Sequence, residues 1–545
     1  MRILRLIPTF FMVLILFFTI YKTNVLLSIV TDITANQGFD WIDQVNTARM
    51  LADIQILASD QFEGRYPATD GDKLTLNYLS DQLKGLNVSP LDDIDDFKQQ
   101  FNISPWTMPI APINFTIDGK TLVYGTDYVE LTFTGNSSVI TPTEIVFVGY
   151  GIHTSTFDDY LDIDVSGKIV LVCRGIPTNG VASEHGWLGV KAEVAYSKGA
   201  LGMIAVSHPR SGTNKPIKAT LTQSYFIPDM GSLCANRTVL EQNGLNISEW
   251  ITRVDSEYSR TGFYHGSESR YTRIMATLEV NTVYRVIAES ANILAKFQSA
   301  DYGSSDRVLI ISAHHDHIGK SPVGIIYNGA DDDASGTAVV LEVARVLNNL
   351  YTSHNFRKTI VIAFWGAEEV GLIGVRHFIS EPLCSLGQID LVIQHDMVGI
   401  GPVNGALTVG GGSYFPDIMT EIHQAASEYG NIEDVVMADI GSDHLAFLEN
   451  NIPGVCFFWN KRDDHPNVHT VHDTADLIEP DVLKKVALTT LGYLIEGQSL
   501  LGDDSESGII DSFVVFMIIG FLTSVLIRKR KKKKEVRSIK HIFPD

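Results

Sequence analysis

The 545-residue sequence predicts an α/β fold: a mostly parallel mixed sheet flanked by helices, with an inserted β-rich domain and a C-terminal transmembrane helix. Three observations predict it. Residues 280–500 alternate apolar strand, polar loop and amphipathic helix, the pattern of a mostly parallel sheet. Residues 119–265 read mainly as short strands punctuated by Gly-rich turns. Residues 509–527 are almost wholly apolar and run straight into the cationic block Arg528 to Lys534, the pattern of a membrane span with a cytoplasmic stop.

Taken in chain order, Met1 to Arg5 carries two arginines and Leu6 to Tyr21 is uncharged and apolar. Residues 1–22 are therefore expected to be a signal peptide or an N-terminal anchor. Residues 40–118 open the main domain with a helix in which Val45, Ala48, Leu51 and Ile54 recur at three-residue steps. A polar loop, Glu63-Gly64-Arg65-Tyr66-Pro67, separates it from a second amphipathic helix around Leu74 to Leu86. In the insert, strands are expected at Glu144 to Tyr150, Lys168 to Cys173 and Met203 to Val206, with a helix near Val190 to Ser197. After the span, residues 528–545 form a basic cytoplasmic tail. Six Asn-x-Ser/Thr sequons (Asn87, Asn102, Asn114, Asn136, Asn236, Asn246) suit a glycosylated extracytoplasmic surface.

Composition excludes several classes. With 45% apolar and 19% charged residues the chain is neither disordered nor collagen-like. The net charge of −22 hides an asymmetry: residues 1–22 carry +3 and 512–545 carry +7, leaving −32 on the stretch between. Nucleic acid is not a partner of so acidic a domain. Four cysteines are too few for a disulfide scaffold and show no zinc-ribbon spacing.

Chemistry concentrates at strand ends. Arg307 to Ser312 runs into Ala313-His314-His315-Asp316-His317, Thr359 to Trp365 into Gly366-Ala367-Glu368-Glu369, and Ile389 to Gln394 into His395-Asp396-Met397. In open α/β sheets the ligand crevice lies beyond the carboxyl ends of the strands, so these groups converge. Two loops add to them: Gly329-Ala330-Asp331-Asp332-Asp333-Ala334-Ser335-Gly336, and Val468 to Thr474 with His469 and His472. Helix capping explains one of the three successive acids but not all of them. Mixed imidazole and carboxylate donors suit Zn²⁺.

Five motifs in this order, His-x-Asp, Gly-Ala-Asp-Asp-x-Ala-Ser-Gly, Glu-Glu-x-Gly-Leu, Asp-Met and His-Thr-x-x-Asp-Thr, resemble the co-catalytic dizinc aminopeptidase family, whose relatives include glutamate carboxypeptidase and the transferrin receptor. Leu57-Ala58-Ser59-Asp60 with Glu63-Gly64-Arg65 is similar to that family's N-terminal segment, and Val146 to Gly151, Gly167 to Val172 and Lys198-Gly199-Ala200 resemble a protease-associated domain. The resemblance implies a zinc exopeptidase fold in which 40–118 and 280–500 build the peptidase domain around an insert at 119–265. It implies two Zn²⁺ ions, bridged by Asp332, with His314 and Asp396 completing one site and Glu369 and His469 the other. It further implies a metal-activated water, Glu368 as general base, Asp316 orienting the His314 ring, and a cis peptide after Asp332. His315, His317 and His395 flank the implied ligands and stay open as alternatives. Ser442-Asp443-His444 matches a family segment near the pocket without an assigned role, and Val468 stands where several relatives carry an aromatic residue.

The expectation is a single-pass membrane-anchored aminopeptidase that acts on extracytoplasmic peptides. A carboxypeptidase or dipeptidase of the same family requires cationic side chains for a free carboxylate, with Arg376 and Arg462 as candidates. A glutaminyl cyclase works with one zinc, against which the matched His314 and Asp396 speak. A non-enzymatic receptor-like ectodomain is expected to lose ligands or base, and none is lost.

Overall fold

In a computed structural model, residues 41–501 are described, apart from 93, 105, 132, 178–180, 211–213, 215, 217–226, 267, 300–306, 353, 439 and 461–464. The signal or anchor expected at 1–22, the span at 509–527 and the tail at 528–545 lie outside the described residues. Among the described residues, no helix is long and apolar enough to cross a membrane.

Two sheets organise the chain. Among the described residues, the first has nine strands, and its centre is four parallel ones in the order Thr359–Trp365, Val308–His314, Ile389–His395, Gly454–Trp459. Every residue of Val308–His314 and Thr359–Trp365 is buried, as continuous apolar runs in a sheet covered on both faces must be. The register pairs His314 with Trp365, Ala313 with His395, and His395 with Phe457, so the carboxyl ends finish nearly level. Antiparallel strands flank this centre: Ala288–Phe297 on one side and Leu407–Gly410 on the other, the latter followed by Val435–Ala438.

The N-terminal segment belongs to this first sheet. Ser89–Pro90 and Lys98–Ile103 both pair with Ala288–Phe297, so the chain begins the sheet, leaves it and resumes it. The helix Thr47–Leu57 starts at Asn46, whose side chain accepts the N–H groups of Ala48 and Arg49. It buries Met50, Ile54 and Leu57 in steps of four and three, whereas the expected Ala48 is exposed. A strict three-residue step drifts around a 3.6-residue helix, so Met50 takes that place on the buried face. The second helix spans Asp70–Lys84, with Thr69 as its cap and Leu76, Leu79 and Leu83 buried.

Among the described residues, the second sheet has eight strands and is built around Ser137–Phe147, Ile169–Cys173, Gly202–Val206 and Gly231–Ala235, which run parallel. Two long antiparallel strands, Trp106–Ile117 and Arg270–Arg285, extend it beyond 119–265 at either end. Helix Ile247–Thr261 packs its apolar stripe Ile247, Trp250, Ile251, Val254 and Tyr258 into one core with Phe115, Phe147 and Leu171. Helix Leu188–Ser197 contributes Leu188, Ala192 and Ala195 to the opposite core.

Candidate metal centre

The side chains at the level strand ends meet in one place. His314 closes its strand at 1% exposure, and its ring Nε2 lies 3.4 Å from Asp332 Oδ1 and 3.8 Å from Asp396 Oδ1. On the other side of Asp332, His469 Nε2 is 3.0 Å from Asp332 Oδ2 and 3.1 Å from Glu369 Oε2. The described residues thus contain two groups able to hold a metal ion, one of His314, Asp332 and Asp396, the other of His317, Asp332, Glu369 and His469, sharing Asp332.

The backbone decides which of the three successive acids faces this centre. Asp331 Oδ1 accepts the N–H groups of Gly399 and Ile400, and its Oδ2 meets His465 Nδ1 at 2.9 Å. Asp333 Oδ1 accepts from Gly336 and Met397 N–H, and Oδ2 from His314 N–H. Both carboxylates are consumed in holding the loop, and Asp332 alone projects between the two histidine groups. Asp473 completes the cradle by accepting the N–H groups of Asp331 and Asp332. The peptide bond between Asp332 and Asp333 is cis.

Glu368 and Glu369 follow the strand Thr359–Trp365, and the N–H of each donates to Asp316, at 3.0 and 3.2 Å. Asp316 Oδ1 also stands 3.8 Å from His314 Nδ1, the ring atom it was expected to orient, a separation longer than a hydrogen bond. Glu368 is 5% exposed, and burial pushes its carboxyl well above the ordinary carboxylate range. At His469, burial opposes the imidazolium, but Glu369 and Asp332 outweigh it and bring the ring up to about 10.

The flanking histidines divide. His315 Nε2 lies 3.0 Å from the Ala291 carbonyl, and His395 sits between Ser312 O and Thr490 Oγ1 at 3.1 and 2.8 Å. Burial lowers both to about 4, as for neutral core histidines. His317 instead joins the cluster, with Nδ1 2.9 Å from Glu369 Oε1. Asp443 is buried behind the site and accepts from Gln394 Nε2, whereas His444 packs between Gly410 and Gly454, away from the donors.

Arg65 is the functional residue that motif reading underrated. Its guanidinium, 1% exposed, donates to the carbonyls of His315, Leu57, Asn328 and Gly329 at 2.7–3.0 Å. It therefore ties the His314–His317 strand end to the Asp332 loop. The signal was the Glu63-Gly64-Arg65 match, but no local pattern says that its head group ends at residues 250 or more positions away.

The donor set fits zinc. Donors about 2.1 Å from a tetrahedral zinc are separated by about 3.4 Å. The histidine-to-carboxylate separations here run from 2.9 to 3.8 Å around that value. Beside the donors lies a cavity of about 270 Å³, walled by Met397, Val436, Met437, Ile440, Phe458 and Val468, with Glu368 and His469 at its polar end. No lysine or arginine lines it among the described residues. Arg376 pairs with Glu449 at the surface, and Arg462 lies outside the described residues.

Residues 292–494 match peptidase family M28, and residues 129–231 match the PA domain. Leucine aminopeptidase 1 of Paracoccidioides brasiliensis is 28% identical over 208 residues, covering 36% of this chain and 53% of that protein. Aminopeptidase YwaD of Bacillus subtilis is 30% identical over 189 residues, 33% of this chain and 38% of that protein. The chain spans about half the length, or less, of these curated relatives. Among solved structures, an aminopeptidase from Aneurinibacillus sp. strain AM-1 aligns with a TM-score of 0.58 at 23% identity, over 83% of this chain and 94% of that one. The zinc aminopeptidase BSAP from Bacillus subtilis aligns with 0.59 at 20% identity, over 85% and 96%. These two likenesses show the shared fold.

Proposed function

We propose, from the match of residues 292–494 to peptidase family M28 and of residues 129–231 to the PA domain, that the protein is a zinc-dependent aminopeptidase that removes N-terminal residues from peptides. The observation that carries the proposal is the pair of donor groups sharing Asp332, with Glu368 beside them at the mouth of an apolar cavity. In this reading His314, Asp332 and Asp396 hold one zinc ion, and Asp332, Glu369 and His469 hold the second. When bound, the ions supply Lewis-acid activation of the scissile carbonyl and of the attacking water.

The residues do the rest. Glu368 receives the water proton on its carboxylate and returns it to the departing amine nitrogen, and its burial suits a group that must both accept and donate. Asp316 holds the 368–369 turn through two N–H bonds, so that base and ligand keep a fixed spacing. The apolar wall takes the side chain of the first residue, and the relatives named leucine aminopeptidase fit that choice. Among the described residues the lining holds no cation, which suits a substrate ammonium better than a free carboxylate and so an aminopeptidase better than a carboxypeptidase.

The catalytic unit is drawn from 40–118 and 280–500 and the insert from 119–265, with the strands Trp106–Ile117 and Arg270–Arg285 falling on the insert's side. The apolar run at 509–527 anchors it as a single-pass protein with an extracytoplasmic domain glycosylated at its sequons, and residues 1–22 serve as its signal peptide or N-terminal anchor. Glu368→Gln is the direct test of mechanism: kcat should fall at least about 10²-fold with zinc content unchanged. An undiminished rate refutes the assignment. Extraction of the full chain from membranes by alkaline carbonate would refute the anchor.

A further inference from the structure

The two halves of the centre are not equivalent. The His314 half offers three protein donors, His314, Asp332 and Asp396, whereas the Glu369 half offers four, because His317 Nδ1 stands among Asp332, Glu369 and His469. Its distances are 2.9 Å to Glu369 Oε1 and 3.8 Å to Asp332 Oδ2, which straddle the roughly 3.4 Å edge of a tetrahedral zinc site. His317 and His469 meet edge to face, with ring centroids 5.6 Å apart at 69°, and one nitrogen of each belongs to the same four-residue donor group. The fold makes room for this ring. Gly329 has φ +62°, and a Cβ there would lie 2.5 Å from His317 Cγ and Cδ2.

The geometry points to His317 as a fourth protein donor to the zinc ion on the Glu369 side, an assignment that rests on the dizinc reading above. His317 Nδ1 lies within hydrogen-bond reach of Glu369, and as a zinc ligand that nitrogen would offer its lone pair with the ring kept neutral by a proton on Nε2. The Glu369 site would then have four protein donors and meet water or substrate only by expanding to five-coordinate, as catalytic zinc sites can. The His314 site keeps one position open, as in catalytic ones. The ions consequently load in order, the four-donor site first.

The competing role for His317 is a hydrogen-bond donor that steers Glu369 without touching metal. X-ray absorption at the zinc edge separates the two on the full chain loaded with one equivalent of Zn²⁺. The proposal expects two imidazoles on that single ion, those of His317 and His469, and one in His317→Gln, whose amide can still donate to Glu369. One imidazole on the first ion in the unmodified protein overturns it, and so does a spectrum that His317→Gln leaves unchanged. The unmodified spectrum decides even where the variant fails to fold. A chain that binds two zinc ions with a single imidazole on the first loses this proposal alone. A chain that retains no zinc loses the dizinc reading as well.

Discussion

Replacing Arg65 with methionine removes the cation from which the metal loop hangs while keeping a side chain of comparable length. The guanidinium is buried, and its four short bonds all go to backbone carbonyls rather than to a carboxylate. Burial lowers its pKa, and the surrounding charges of Asp473, Asp332, Asp333 and Asp316 oppose that fall. In the variant the carbonyls of Leu57, His315 and Asn328 lose this donor, while Gly329 O keeps a 3.3 Å contact from Ala334 N–H. At about 1–3 kcal/mol per orphaned buried carbonyl the three cost roughly 3–9 kcal/mol. Removal of a buried charge returns several kcal/mol of that, leaving a net loss of about 3 kcal/mol. If the loop recovers its conformation only on binding metal, the same amount weakens zinc binding by about 10²-fold. The assay is competition for Zn²⁺ against a chelator, with circular dichroism to confirm folding. Arg65→Met with native zinc affinity and native melting temperature would refute the reasoning.

Three further outcomes follow from the same interactions. Asp473→Asn places an amide where two carboxylate oxygens now accept the N–H groups of Asp331 and Asp332, and should cost about 2 kcal/mol in thermal or denaturant unfolding together with tightly held zinc. Burial pushes the Asp72 carboxyl up to about 7, so the folded chain takes up its proton more readily than the unfolded chain does. Stability therefore declines as pH rises from about 4 through 7 and levels off above; Asp72→Asn should flatten that part of a melting-temperature profile. Chelation should lower the melting point, and Zn²⁺ restored at a hundredfold a site's Kd should return about 2.7 kcal/mol for that site.

Much of the peptidase sheet is legible from local pattern, because buried parallel strands are apolar runs and the chemistry sits at their carboxyl ends. Thr359–Trp365 and Gly454–Trp459 are of this kind. The limits of the second sheet are less legible: Trp106–Ile117 alternates only partly, and its pairing with the more regularly alternating Arg270–Arg285 joins segments about 160 to 180 residues apart. At the site, residue types were plain but orientations were not. Which of three adjacent acids points inward depends on N–H groups supplied by Gly399, Ile400 and Met397, and Asp316 is turned by the N–H groups of Glu368 and Glu369. His315 and His317 differ in role through the Ala291 carbonyl and the space left by Gly329, neither of which a motif encodes. Glu342 shows the same limit. It reads as part of a polar helix face, yet it is fully buried, bound by Arg49 of the N-terminal helix with Arg345 beside it.

The most direct test of the account is to incubate the zinc-loaded chain with a defined mixture of peptides and follow both ends by mass spectrometry. The account predicts stepwise loss of N-terminal residues, fastest for apolar ones, abolished by chelation and by Glu368→Gln. Shortening from the C-terminus, or no shortening by a chain that holds its zinc, would contradict it.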